Sequence, residues 1–398
     1  MRMGWQCGVA GLGLILTGLV SAAGLPSLQP GQWYEVPGSD LLQVAPSPRP
    51  PGNIVNVMRA WSGGAFDSRR DRLLVWGGGH ADYGGNELYA FSLASLSWQR
   101  LTDPSFLASN YDFAAHGWIN GSDTYPDGRP ASRHTYAGLA YLASPFDLLF
   151  ANSGSVYRNG NSKRSTWLFD LASGSHAWHR KSPKPGTAYE GVVAAYDPVG
   201  RKVWVQSHYH LYSYDLATDR WQTRSAYLSS SGCGGSLPHY MNGAIDPDHR
   251  IFLLIGAGCA FYYDISGNGN LVRHQLGGTG DSSVKNGVAP GLAYDSQAGV
   301  FLAWNGGTSV YSIDLRGSTP VWTRHSGQGA NPGAPAANGT YGRFQYSPAS
   351  NLLVLVNDVA SNVFLYRFSS GSGTGGASLP APPAAPAKPS VQITPVIP

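Results

Sequence analysis

Several things are scarce in this chain, and each scarcity closes a door. Cysteine occurs three times in 398 residues, and only 13% of residues carry charge. No Lys/Arg run of the kind a phosphate backbone needs is present, and the formal charge of +4 is mild, so nucleic acid is not an expected partner. The longest apolar run, Val9 to Val20, is too short to cross a bilayer. A facing pair of carboxylates is also missing: Asp82, Glu87 and Glu190 are the acids near the candidate site described below, with no evident pairing, which disfavours glycoside hydrolysis.

The short apolar run has a different use. Arg2, the run itself and Ser21-Ala22-Ala23-Gly24 have the three regions of a secretory signal, with cleavage expected after Ala22 or Ala23. Residues 1–23 are therefore read as a leader, the protein as secreted or periplasmic, and no membrane span is expected once the leader is gone. Cys7 would leave with it. Cys233 and Cys259 remain, and in an oxidising compartment one disulfide is the natural reading, two inert thiols the plainer one.

What the chain does have is glycine (52 residues) and aromatic side chains (12%), the mixture that turn-rich β structure with bulky inter-sheet packing requires. These residues repeat. Apolar strands closed by Phe66, Tyr141, Tyr196, Ile245, Tyr294 and Tyr346 step by 75, 55, 49, 49 and 52 residues. Each is followed by a short turn and a second apolar strand: Leu73-Leu74-Val75-Trp76, Leu148-Leu149-Phe150, Val203-Trp204-Val205, Phe252-Leu253-Leu254, Phe301-Leu302-Ala303 and Leu352-Leu353-Val354. Third strands end in aromatics and often Asp, as in Phe261-Tyr262-Tyr263-Asp264. Fourth strands open on Trp98, Trp178, Trp221 and Trp322, with Leu271-Val272 offered where the Trp is missing.

A period near fifty with four short strands predicts a closed ring of sheets, because one such sheet cannot bury both faces alone. The sixth repeat has no fourth strand. Gln32-Trp33-Tyr34-Glu35-Val36 matches the missing pattern and would close the ring, removing exposed edges. The expectation is an all-β propeller of six four-stranded blades over residues 24–369, closed by an N-terminal strand. Seven blades would result if residues 104–133 hid weak strands. Residues 370–398, rich in Gly, Ser, Pro and Ala, read as a disordered, unpacked tail.

The doublet Gly77-Gly78, and an aromatic followed seven residues later by Trp (Phe91 to Trp98, Tyr214 to Trp221), resemble the kelch repeat of the galactose-oxidase-like superfamily. The doublet is partly kept at Gly306-Gly307 and replaced by Ser207-His208 in the third repeat. The resemblance implies a kelch-like propeller. The copper radical oxidases of that superfamily need a Cys cross-linked to a Tyr plus a Tyr-His ligand pair, whereas Cys233 and Cys259 read better as each other's partners.

In an up-and-down sheet the lead-in to strand one and the end of strand two share one face. The connections on that face are long (104–133, 226–238, 277–287, 326–339), while the turns on the other are short, so the first is the expected working face. Aligned copies place Arg59, Trp61, His134, Tyr136, Tyr189, Tyr240, Asn242, Tyr341 and Arg343 at equivalent lead-in positions. His80 and the pair His208 and His210 stand at second-strand ends, with His239 one residue out of phase. Tyrosine, histidine and arginine around a funnel suit an acidic sugar: aromatic faces stack on pyranose rings and arginine pairs with a carboxylate.

The set is similar to that of β-propeller polysaccharide lyases, ulvan lyases among them. The resemblance implies β-elimination of a uronate-containing polysaccharide, with His80 or His134 as base, Tyr136 or Tyr189 as acid, and Arg59 or Arg343 neutralising the carboxylate. Trp61, Tyr240, Asn242 and Tyr341 would complete substrate binding. His208 and His210, with His239 as third ligand, have the spacing for a divalent metal, although a satisfied surface pair is the plainer reading. His80 could equally just brace its glycine-rich turn, and Arg133-His134-Thr135-Tyr136 could cap a strand. The alternative function is a non-catalytic kelch propeller that binds a glycan or protein at the cell surface; on either reading a monomer is expected.

Overall fold

Alternation along the second strand decides the architecture. In the computed structural model, which describes residues 24–371 except 107–114, 116–117, 159, 173–175, 229–238, 278 and 318, the strand Arg72–Trp76 is buried on both faces. Leu74 and Trp76 pack toward the following sheet, against Leu139, Leu149 and Trp167. Leu73 and Val75 pack toward the preceding sheet, against Leu352, Val354 and Leu365. A strand with two apolar faces needs a neighbour on each side, and the ring supplies them. Six apolar clusters fill the six junctions between sheets.

The blades run in chain order. Blade 1 is Gly63–Asp67, Arg72–Trp76, Tyr89–Ser92 and Ser97–Arg100. Blade 2 runs from Leu139–Leu142 to Trp178–Lys181, blade 3 from Val193–Asp197 to Arg220–Thr223, and blade 4 from Asn242–Asp246 to His274–Gln275. Blade 5 runs from Gly291–Asp295 to Trp322–His325. Blade 6 holds Phe344–Ser347, Leu352–Leu355 and Phe364–Tyr366, and its fourth strand is Gln32–Glu35, paired antiparallel as Trp33 with Tyr366 and Glu35 with Phe364. Gln328–Gly329 adds a short parallel strand outside it.

The six-blade reading and the closing strand hold, and among the described residues no seventh blade forms. Part of the 104–133 stretch instead joins blade 2 in a small separate core of Phe106, Trp118, Tyr125, Ala131, Val156 and Tyr157. The buried Arg133 ties this core down by donating to Asp123 and Ser165. One strand also differs. The fourth strand of blade 4 is His274–Gln275, not Leu271-Val272, because Tyr262 opposite pairs with His274 and stacks on its ring. No helix among the described residues is long and apolar enough to cross a membrane. The proposed leader and all but two residues of the tail lie outside the described residues.

On the short-turn face, buried carboxylates fasten blade to blade. Asp67 and Asp147 share Arg70, and Arg250 of blade 4 reaches back to Asp197 of blade 3 at 2.5 Å. Asp71 accepts from Ser347 and Ser350 of blade 6, where the ring closes. The first oxygen of Asp197, Asp246 and Asp295 caps its own turn through two backbone N–H groups. This use of Asp is local turn chemistry serving a long-range purpose.

Candidate functional site on the long-loop face

The lead-in positions carry an unusual backbone. Five residues before each closing aromatic stand Trp61, Tyr136, Gly191, Tyr240, Ala289 and Tyr341. All but Tyr240 are left-handed, with φ of +46°, +47°, +54°, +40° and +50° in that order. For a bulky L residue this conformation costs about 1–2 kcal/mol. Neighbouring blades hold it in place. Tyr136 N donates to Trp61 O at 2.6 Å, Ala289 N to Tyr240 O at 2.8 Å, and Tyr341 N to Ala289 O at 3.0 Å. Blade 1 makes room by being glycine there: a Cβ on Gly63 would sit 2.1 Å from Tyr136 O.

Over this ring lies a continuous band of aromatic and imidazole rings. Trp61 and His80 flank His134 at 5.0 and 5.5 Å. His134 meets Tyr136 at 6.0 Å, and Tyr136 meets both Tyr341 (5.8 Å) and His239 (6.1 Å). His239 continues to His208 and Tyr240, and His208 stacks on Tyr189 at 4.8 Å. Tyr209 and Tyr227 stack beyond it at 4.7 Å.

Within the band, His134 and Asp82 form a pair, Nε2 to carboxylate at 2.8 Å. His134 is 3% exposed. The loop Gly77-Gly78-Gly79 brings Asp82 there: Gly78 and Gly79 have positive φ, and a Cβ on Gly79 would strike Arg133 Cα at 2.3 Å. Asp82 N donates to Gly79 O at 2.9 Å, which fixes the turn. Sequence reasoning named both residues but not their pairing, because the contact spans 52 positions; only the triple glycine before His80-Ala81-Asp82 hinted at a close approach.

Tyr136 Oη has no hydrogen-bond partner among the described residues. Burial, with Glu190 nearby, pushes its phenol above the ordinary tyrosine value, so it stays protonated at neutral pH. His239 is shifted the other way: burial lowers its pKa, and its Nε2 is buried without a partner among the described residues.

A shallow cleft of about 390 Å³ opens beside His80, lined also by Ala81, Tyr157, Arg158 and Gly160. Arg158 N donates to His80 O, and the imidazole lies so close over Gly160 that a Cβ there would meet Nε2 at 2.4 Å. Arg158, exposed at the cleft, is a cation the sequence reading missed; it falls in the loop after the second strand of blade 2, outside the aligned lead-in positions.

The other expected residues divide. Arg59 sits at the rim, its side chain 57% exposed and ion-paired with Asp358. Arg343 does not face the funnel. It is fully buried and donates to the carbonyls of Ser62, Gly339, Val356 and Asn357, so it is a brace between blades 6 and 1. Asn242 is likewise buried, donating to Pro290 O and Tyr341 O. Tyr341 donates from Oη to His239 O. Of the three histidines expected at a metal, His208 and His239 come together, whereas His210 turns to Ser225 O and packs on Tyr212 and Tyr227. No group of three metal-ligating side chains occurs among the described residues. Cys259 is buried in blade 4; Cys233 lies outside the described residues, and their pairing is a proposal.

The sequence matches no protein-family profile, and no curated protein matches it. Solved structures do. A protein of unknown function from Bacteroides thetaiotaomicron superposes with a TM-score of 0.51 at 12% identity, covering 84% of this chain and 75% of the other. YjhT gives 0.48 at 12% identity, over 79% and 95% of the two chains. A fungal alcohol oxidase of the AA5 family, solved with copper, gives 0.42 at 15% identity over 72% and 56%. At these identities the likeness concerns the fold alone.

Proposed function

We propose that the protein is a carbohydrate-active propeller that takes an acidic polysaccharide across the long-loop face and cleaves it by β-elimination. The observation that carries this reading is the imidazole–phenol sequence His80, His134 (held by Asp82) and Tyr136 within a band of sugar-sized aromatic faces. His80, the exposed imidazole, takes the C5 proton of a uronate. The electron pair forms the C4–C5 double bond, the C4–O bond breaks, and the leaving oxygen takes a proton from Tyr136. The raised phenol pKa keeps Tyr136 protonated at neutral pH, the form a donor needs. Arg158, beside His80, takes over from Arg343 the neutralising of the carboxylate, which acidifies the C5 proton. His134 acts through its neighbours. The leader proposed for residues 1–23 would place this activity outside the cytoplasm.

A second reading, a binding propeller without turnover, is favoured by the burial of His134 and by the ion pair that already occupies Arg59. Incubation with a panel of uronate polysaccharides, read by the ultraviolet absorbance of the unsaturated product, separates the two. Product that is lost in Tyr136→Phe and His80→Ala supports elimination. Glycan retention with no product across the panel leaves the binding reading.

A further inference from the structure

The short-turn face has a cavity of its own on the propeller axis. It measures about 290 Å³ and is lined by the closing residues of all six inner strands: Phe66, Tyr141, Tyr196, Ile245, Tyr294 and Tyr346. Alanines stand behind most of them, and Pro198, Pro247 and Pro348 form part of the rim. Toward the other face, Tyr136 and Tyr341 are buried against each other across the lead-in ring. This is an aromatic cup; the hydroxyl of one lining residue, Tyr196 Oη, is buried out of reach of solvent and makes no hydrogen bond among the described residues. Tyr141 and Tyr346, by contrast, spend theirs on Asp147 and Asn351.

The chain leaves the described propeller at the lip of this cup. Gln297 Nε2 donates to Ser370 O at 2.8 Å, and Asn351 Nδ2 to Gly371 O at 3.1 Å. Gln297 adjoins the lining residue Ser296, and Asn351 belongs to the same turn as the lining residue Pro348. Beyond Ser370 the sequence continues as a Gly/Ser-rich stretch, 371–378. Leu379-Pro380-Ala381-Pro382-Pro383 comes next, with further prolines at 386, 389, 395 and 398.

We propose that this axial cup binds a short stretch of the chain's own proline-rich tail, Leu379-Pro380-Ala381-Pro382-Pro383, in an extended polyproline conformation. Two features of the tail fit the cup. Proline pre-sets the backbone, so little entropy is lost on docking, and polyproline segments pack in aromatic-lined grooves. The glycine-rich lead of about eight residues has a mean reach on the order of 15 Å, enough to return from residue 371 to a lip it already touches. Tethering raises the local concentration of the tail to about the millimolar range, so even a weak contact is occupied.

The test is a photo-crosslink in the full chain. Ser296 is exposed and outside every strand, so Ser296→p-benzoylphenylalanine leaves the sheets intact. Irradiation and mass spectrometry are expected to join position 296 to residues 379–383 of the same chain, at monomer mass. Crosslinks that avoid this stretch, or that join only a second copy's tail, overturn the proposal. As an independent readout on the unaltered protein, amide hydrogen exchange at Leu379 and Ala381 should be at least about 10-fold slower than in a free peptide of residues 372–398. Equal rates overturn it as well.

Discussion

The two faces of the propeller are built from the same six repeats and use their carboxylates differently. On the short-turn face nearly every buried carboxylate is satisfied several times over: Asp67 accepts from Arg70 N, Arg70 Nη1 and Arg72 Nε, and Asp147 from Arg69, Arg70 and Tyr141. On the long-loop face Asp82 pairs with the single side chain of His134. Among the described residues His239 Nε2 is buried without a partner, and five of the six lead-in positions are held in left-handed conformations. The first pattern stores stability and the second leaves groups available, which is the usual division between scaffold and site. Arg343 shows that position alone does not assign a residue to either class: it lies at the lead-in level yet belongs wholly to the scaffold.

The sharpest way to break this contrast is to remove a scaffold charge. Asp67→Ala leaves Arg70 and Arg72 without their shared partner and should lower unfolding free energy by about 3–5 kcal/mol in denaturant titration. A loss under about 1 kcal/mol would mean that the turn-face network is ornamental. Arg343→Met should cost about as much, since four carbonyls lose a donor, while turnover per folded molecule stays unchanged. A selective fall in kcat would move Arg343 back to the site.

On the other face the expected effects are on chemistry. Tyr136→Phe and His80→Ala should each reduce kcat by on the order of 10²-fold, with an unfolding midpoint close to that of the unsubstituted protein. Asp82→Asn should fall less far and shift the acid limb of the pH–rate profile, as expected of a residue that acts through His134. An unmoved profile would reduce Asp82 to a turn former.

A smaller effect concerns acid stability. Burial lowers the pKa of His239, so the unfolded chain binds its proton first as pH drops. Stability contributed by the neutral imidazole is complete above the unfolded value of 6.5 and is lost as pH falls from there toward the depressed folded value. His239→Gln should flatten the decline in unfolding midpoint between neutral pH and about pH 5; an unchanged slope would assign the decline to other groups. The smallest effect is expected at Ala289→Gly. Relief of a left-handed alanine, about 1–2 kcal/mol, is nearly offset by one lost methyl and a freer unfolded chain. Stability should move by less than about 1 kcal/mol in either direction, and a larger loss would show that the ring tolerates no change there.

The blade pattern was legible because it is periodic: closing aromatics, two-faced second strands and the unpartnered Gln32–Glu35 strand all result from packing that repeats. The exceptions are where the repeat is silent. His274–Gln275 carries no apolar signature, so Leu271-Val272 looked like the better strand. Arg343 sits in phase with Arg59, but phase gives height on the axis and not direction, and only the carbonyls around the guanidinium reveal its role. The Asp82–His134 pair and Arg158 depend on loops that meet across sequence, which no local pattern encodes. The left-handed lead-in positions could have been suspected, since Gly191 falls in register with Trp61, Tyr136 and Tyr341.

The sixth sheet borrows its outer strand from the far end of the polypeptide, Trp33 lying against Tyr366. During synthesis five sheets can therefore assemble while the first described strand waits for its partner, which the ribosome delivers after all five. The circle is latched by two segments that emerge at opposite times, and a nascent chain stopped before residue 364 would hold that latch open.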